Sequence, residues 1–310
     1  MQLIRDFDRC PEELRHSVLA LGNFDGVHRG HQAILHHVID MAKHEERMPA
    51  VMTFEPHPRA YFSKGQPVCI YRFRQKVQRM EETGIRAMFV LRFNEKLAGT
   101  TARSFVEHIL HEQLAVHHVV TGYNFAFGKG REGNTEFLAG QGHRLGFGFT
   151  AVPAIAEEDG TVISTSAVRQ ALAAGDIAKA VRMLGHSFTI CGRVMHGDKR
   201  GRTLGFPTAN ISLHKLYAPR FGVYAVRVQV ADRHFEAVAN LGIKPTVGGR
   251  KPLLEVHIFN FDEDIYGQQA RVELLHFIRP EQSFETIDAL QAQIKKDVGS
   301  ASSLFKESVL

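Results

Sequence analysis

The apolar residues of this 310-residue chain change their spacing once, near Gly185, and that change restricts the possible folds more than any composition figure. Before it, short apolar runs at residues 18–22, 50–54, 86–93, 117–122 and 148–153 alternate with helical patterns at 31–44, 73–82 and 103–114. Strands separated by helix-length segments build βαβ units, so this half predicts a doubly wound parallel sheet covered by helices. A helix over 164–173 follows, and Gly175-Asp176 reads as a cap opening a second helix to about 184. Beyond that point strands at 188–194, 222–230, 234–241, 253–259 and 271–278 succeed one another with little helix until 284–296. Turn clusters at 196–198 and 246–250 separate some of them. Closely spaced strands of this kind predict an antiparallel sheet or small barrel. The chain therefore reads as two domains, 1–186 and 187–310, with a tail at 299–310 expected to fray.

The charge pattern narrows the partners. Lys+Arg 38 against Asp+Glu 33 leaves +5, and the positive residues are scattered rather than clustered. That suits anionic small molecules and gives no basic face for nucleic acid. The first twenty residues hold no apolar signal region, and nowhere do eighteen apolar residues run together, so no membrane partner is expected. Cys10, Cys69 and Cys191 are odd in number and far apart, which argues against a disulfide framework and for a reducing cytoplasm. Nothing in the pattern sets or forbids self-association.

Two segments carry chemistry. The first, GNFDGVHRGH at 22–31, leaves the first strand and opens the first helix. Gly22, Gly26 and Gly30 allow backbone amides close to a ligand, with Asn23, Phe24 and Asp25 between them. A helix N-terminus adds free N–H groups and a positive dipole end, which favours phosphate. His28 and His31 share a helical face, so both rings can meet one anion and stabilise charge developing on it. The same two histidines also read as ordinary capping and surface residues; a zinc site lacks a third ligand at a recognisable spacing. A second glycine pattern, GKGREG at 128–133, matches G-x-G-x-x-G letter for letter. It lies away from the first strand and has no acid at the expected offset, so a dinucleotide fingerprint is discounted; no P-loop motif occurs.

The second segment opens the β-rich half. Gly192, Gly197, Gly201 and Gly205, with Lys199, Arg200 and Arg202 among them, form a basic loop able to fold over phosphates. Phe206-Pro207 then fixes the backbone, and Thr208 and Asn210, two apart on an extended segment, face one side. A hydroxyl and an amide oxygen suit Mg2+ carrying ATP phosphates. Without further context such a loop also reads as a solvated turn. Glu255, between Leu254 and Val256, likewise reads as the polar position of an alternating strand.

The residues 22–31 resemble the G-x-F-D-x-x-H-x-G-H signature of the nucleotidyltransferases that move an AMP or CMP unit. TFEPHP at 53–58, GYNFAFGKGREGN at 122–134 and ISTSAVR at 163–169 are similar to the FAD synthetase branch of that superfamily. Asn124 stands where that family often has Asp, and Ala167 where it often has Arg. The stretch 192–210 resembles the G-R-x-L-G-F-P-T-A-N signature of riboflavin kinases, as do GVYA at 222–225, NLGIKPT at 240–246 and LEVHIF at 254–259. Together the resemblances cover nearly the whole chain, in the order of the bacterial bifunctional riboflavin kinase/FAD synthetase family. They imply a Rossmann-like domain followed by a six-stranded antiparallel barrel. They imply riboflavin plus MgATP giving FMN in the second domain, and FMN plus MgATP giving FAD and pyrophosphate in the first. His28 and His31 would then bind the triphosphate, with Asn124 and Arg131 in the same nucleotide site. Ser164, Thr165 and Arg169 would hold pyrophosphate, Glu255 would be the kinase base, and Thr208 and Asn210 would hold the metal. The alternative is a flavin- or nucleotide-binding regulator that has lost one or both activities.

Overall fold

The computed structural model describes residues 1–5, 10–63, 69–197, 201, 204–246 and 249–307. By internal contacts it divides into two compact units, Met1–Thr165 and Ser166–Leu310.

Among the described residues, the first unit is built on six parallel strands: β1 (Gln2–Ile4), β2 (Val18–Leu21), β3 (Pro49–Glu55), β4 (Ala87–Arg92), β5 (His118–Gly122) and β6 (Gly148–Val152). Their order is β1-β4-β3-β2-β5-β6. The helices are α1 (Arg29–His44), α2 (Pro58–Phe62), α3 (Phe73–Glu82), α4 (Glu95–Ala98), α5 (Ala102–Ser104) and α6 (Thr135–Leu145), with a π-helical stretch Phe105–Gln113 continuing α5. The central strands are mostly apolar because both faces are covered: β2 is apolar throughout, while β3 and β5 each bury one threonine, Thr53 and Thr121. Leu19, Leu21, Met52 and Phe89 enter one core, while Val18, Ala20, Val51 and Met88 enter the other. From β2 the chain moves outward through β3 and β4, then crosses back to place β5 on β2's other side. The sheet direction thus reverses at β2, and ligands bind such sheets beyond the strand ends at that point. Gly22 follows there.

The second unit holds an antiparallel sheet, β7 (Thr189–Arg193), β8 (Ala209–Ser212), β9 (Gly222–Val230), β10 (Arg233–Thr246), β11 (Gly249–Ile258) and β12 (Gln269–Pro280), in the order β7-β12-β9-β10-β11-β8. Met195, just past β7, bridges to Asn210 on β8 and draws the two edges together into a nearly closed barrel. The strands β10 and β11 reach farther than the sequence suggested, to Thr246 and from Gly249, narrowing the expected turn. The helices α7 (Thr165–Ala174) and α8 (Ile177–Leu184) go mainly with this unit, so the contact boundary precedes residue 186. The reason is local: Tyr217 donates to the Arg169 carbonyl at 3.2 Å, Arg220 N–H to Leu172 at 2.9 Å, and α8 packs on β12. Asp176 caps α8 by accepting from Lys179 N–H at 2.9 Å.

The tail corrects an expectation. Instead of fraying from residue 299, the chain continues as α9 (Ile287–Glu307). Ala301 and Phe305, with the partly buried Val298 and Leu304, place an apolar stripe at helical spacing against Val223, Ala225 and Val238 of the barrel. Phe305→Ala is expected to destabilise the second unit by about 3 kcal/mol through the cavity it leaves. Denaturant unfolding measures this, and an unchanged midpoint would mean the tail contributes no packing.

Candidate active sites

In the first unit the segment after β2 takes an unusual backbone path. Phe24 (φ 51) and Val27 (φ 44) adopt the left-handed region that side-chain-bearing residues avoid, with Gly26 (φ 84) between them. Phe24 and Val27 are both buried, so the surrounding core holds the loop in this shape. Asp25 is buried too; its carboxylate accepts from Ile70 N–H at 2.8 Å and its carbonyl from the Thr165 hydroxyl at 3.2 Å. It is thus a bracket for the loop.

His28 caps α1, its Nδ1 accepting from His31 N–H at 3.3 Å. That bond makes Nε2 the N–H of the neutral ring, a donor of the kind an anion accepts from. The His28 and His31 rings stack 3.6 Å apart, and Phe24 meets His31 edge-on at 5.2 Å. Burial first, then His28 and Lys76, hold His31 well below the usual histidine range. Its Nδ1 is buried without a hydrogen-bond partner. Gly30 is required by close approach, since a Cβ there would sit 3.2 Å from the His28 ring and 3.3 Å from the Ile163 carbonyl. The Ile163–Thr165 backbone therefore lies against the start of α1, and Arg29 reaches Glu157 at 2.8 Å to fasten the same segment.

The structure thus joins Gly22 to His31 with Ser164 and Thr165 in one unit. Asn124 and Arg131 lie exposed beyond β5. Arg169 belongs to the other contact unit, where its guanidinium lies 5.9 Å over the Tyr217 ring. Gly128 and Gly133 serve packing, because a Cβ at either would press on Ala102 at under 3 Å. The decoy motif is therefore a tight loop between Phe127 and Gly133, which pair as an isolated bridge.

Sequence reasoning missed three features here. Lys76 of α3 is buried beneath the loop, its ammonium 3.3 Å from the Asn23 carbonyl and 3.0 Å from the Thr53 hydroxyl. The parallel-strand Thr53 itself donates to Asn23 O at 3.1 Å. Finally, Tyr61, Phe62 and Phe93 form an aromatic cluster at 5.3 to 5.7 Å, with Phe62 67% exposed.

In the second unit a cavity of about 500 Å3 opens on the barrel face. Glu255 of β11 lies opposite Asn210 of β8 on one side and Asn240 of β10 on the other. Directly paired residues share a sheet face, so the ladder sets these three polar side chains in a lateral row. Glu255, Asn240 and Thr208 line the cavity. His257, two residues along the same strand face, bonds through Nδ1 to the Pro207 carbonyl at 2.9 Å and ties β11 to the Thr208 segment. The E-x-H spacing within LEVHIF could have shown it.

Gly197 lies directly on Asn210, where a Cβ would come within 2.5 Å of the amide nitrogen. A Cβ on Gly201 would strike the Phe206 carbonyl and stand 3.4 Å from the Thr208 hydroxyl. Gly205 (φ 81) takes the left-handed conformation the turn needs. Gly192 has a packing role, since a Cβ would meet Ile211 at 2.7 Å. Lys199, Arg200 and Arg202 lie outside the described residues. The opposite wall belongs to α9. Gln291 donates to the Leu204 carbonyl at 3.1 Å, and Asp297 forms a two-point pair with Arg279 of β12 at 2.8 and 2.7 Å.

Known proteins fit this division. Residues 10–167 match the FAD synthetase family and residues 184–305 the riboflavin kinase family. The chain is 41% identical to the bifunctional riboflavin kinase/FMN adenylyltransferase of Haemophilus influenzae, over 98% of this chain and 99% of that protein. It is 37% identical to the Bacillus subtilis protein of the same name, over 95% and 94%. A solved Streptococcus pneumoniae chain, described as a macrolide-efflux protein, superposes with a TM-score of 0.84 at 30% identity, covering 97% of this chain and 98% of that one. Among the described residues here, no helix is long and apolar enough to cross a membrane. The order of the two matched segments, their strand layouts and the near-complete coverage agree, and this chain belongs to the family of bifunctional riboflavin kinase/FMN adenylyltransferases.

Proposed function

We propose that the two reactions of the family, riboflavin to FMN and FMN to FAD, are carried by the residues just described. The observation that carries the kinase assignment is the ladder register that sets Glu255 beside Asn210. The riboflavin 5′-hydroxyl oxygen bonds to the γ-phosphorus as the bond to the β-phosphate oxygen breaks, ADP leaves, and Glu255 takes the hydroxyl proton. The apolar lining of Val223, Val238, Leu290 and Ile294 accepts the flavin ring.

Thr208 and Asn210 offer the hard oxygens Mg2+ prefers, in a recess that a Cβ at Gly197 or Gly201 would fill, so the residues fit the ion. Bound there, Mg2+ would neutralise phosphate charge. Gly197→Ala pushes on the Asn210 amide, and a misplacement near 1 Å costs about 100-fold. We expect riboflavin phosphorylation to need more Mg2+ and to fall by about that factor, followed by flavin chromatography. An unchanged Mg2+ dependence would remove Asn210 from the metal site.

In the first unit an FMN phosphate oxygen attacks the α-phosphorus of ATP, the bond to the β-phosphate breaks, and pyrophosphate leaves. The protein's part is positioning and charge stabilisation. His28 and His31 donate to the triphosphate at the start of α1, while Ser164 and Thr165 offer hydroxyls to the leaving group. The exposed Phe62, braced by Tyr61 and Phe93, supplies a flat surface for the flavin ring. The three separated cysteines, none in a disulfide and all half-buried, fit a reducing cytoplasm.

A further inference from the structure

We propose that Lys76 is a positioning residue for adenylyl transfer: its buried ammonium fixes the Asn23 turn and supplies positive charge beneath the ATP phosphates. The inference rests on the reading of Gly22–His31 as the triphosphate site.

Lys76 is only 6% exposed, and both of its hydrogen-bond partners are neutral, the Asn23 carbonyl and the Thr53 hydroxyl. Among the described residues no carboxylate lies within ion-pair distance of it. A buried charge that no carboxylate contacts directly is costly, and such groups concentrate at functional sites. Folding does not require the bond to Asn23, because Thr53 donates to the same carbonyl at 3.1 Å. The location is specific. Asn23 precedes Phe24, the first left-handed residue of the loop, so a donor there fixes the start of the path that carries the backbone to His28.

The electrostatic surroundings agree. Desolvation lowers the lysine's pKa, opposed by Glu55 of β3, Asp25 of the loop and Cys69. On its own helix Lys76 lies 5.8 Å over the Phe73 ring, which Arg5 also approaches at 5.1 Å. The His31 ring senses the charge, since Lys76 helps hold that imidazole neutral. A polyanion above the loop would satisfy both groups together.

The experiment uses the full chain and measures FAD formed from supplied FMN, with pyrophosphate and adenosine as competing inhibitors. Lys76→Met should raise the KM for ATP and the inhibition constant of pyrophosphate by about tenfold, the scale of one lost charge interaction. It should leave the adenosine constant and riboflavin phosphorylation unchanged. Equal weakening of adenosine and pyrophosphate would mean a loosened fold and overturn the proposal, as would no change in either. Lys76→Arg keeps the charge and should recover part of the pyrophosphate affinity. If Lys76→Met does not fold, Lys76→Gln takes its place, with the same expected result and the same overturning ones. His28→Ala runs alongside. If it leaves pyrophosphate inhibition unchanged, the triphosphate site itself is misplaced; if it weakens inhibition while Lys76→Met does not, only the lysine's role is wrong.

Discussion

Glu255→Gln is expected to cut riboflavin phosphorylation by about 100- to 10,000-fold, while FMN supplied directly should still become FAD. The substitution keeps the side chain's size and its place opposite Asn210 and Asn240, so β8, β10 and β11 should stay paired. What disappears is the ability to take the hydroxyl proton. A role in binding riboflavin alone would show instead as a rise in its KM with kcat preserved. Single-turnover mixing with riboflavin and ATP, quenched and resolved by chromatography, separates the two. If Glu255→Gln phosphorylates riboflavin at the parent rate, another group is the base.

His28→Ala is expected to stall the sequence at FMN, with adenylyl transfer reduced by about 100- to 1,000-fold. Two contributions combine. The imidazole caps α1, and removing a cap costs about 1 kcal/mol of stability. In the proposed site it also presents Nε2–H to the phosphates. His28→Asn keeps a capping oxygen and loses the ring, so it should recover stability without recovering rate; recovery of both would reduce His28 to a cap. The neighbouring His31 adds a pH signature. Its lowered pKa means that below the usual histidine value of 6.5 the unfolded chain binds a proton the folded one resists. The first unit should therefore lose stability as pH falls through that range. ATP, which favours the protonated ring, should reduce the loss.

Most of the strands that the sequence locates well have a continuous buried apolar run: β9 matches to the residue, and β2 to β5 to within one, because their apolar residues meet a core. β6 matches as closely although none of its residues is fully buried. What escaped did so for identifiable reasons. β1 is three residues long and depends on pairing with β4, distant in sequence. α6 carries Gly140 and Gly142, poor helix formers, yet a Cβ on Gly142 would collide with the Phe147 carbonyl at 2.6 Å. The end of α9 is diluted by Gly299, Ser302 and Ser303, which hide the Ala301–Phe305 contact.

The sites divided along the same line. Residues in local motifs, from Gly22 to His31 and from Gly205 to Asn210, were legible because close spacing maps directly onto one turn or strand. Lys76 was not. It sits in FRQKVQRMEE, a helix so polar that a lysine reads as solvated, and only the β3–α3 packing turns it inward. Asn240 and His257 needed the strand register before they could be placed beside Glu255.

The long closing helix also orders events in time. The helical residues that wall the second unit's cavity, among them Leu290 and Asp297, follow every strand of the barrel in the chain, whereas the α1 loop and its supports all precede residue 166. Domains fold as units while the ribosome still adds residues. A nascent chain stalled ahead of residue 287 therefore carries all the groups proposed for making FAD, but lacks the wall needed to make FMN. On the proposed assignment, synthesis completes the site for the second reaction before the site for the first.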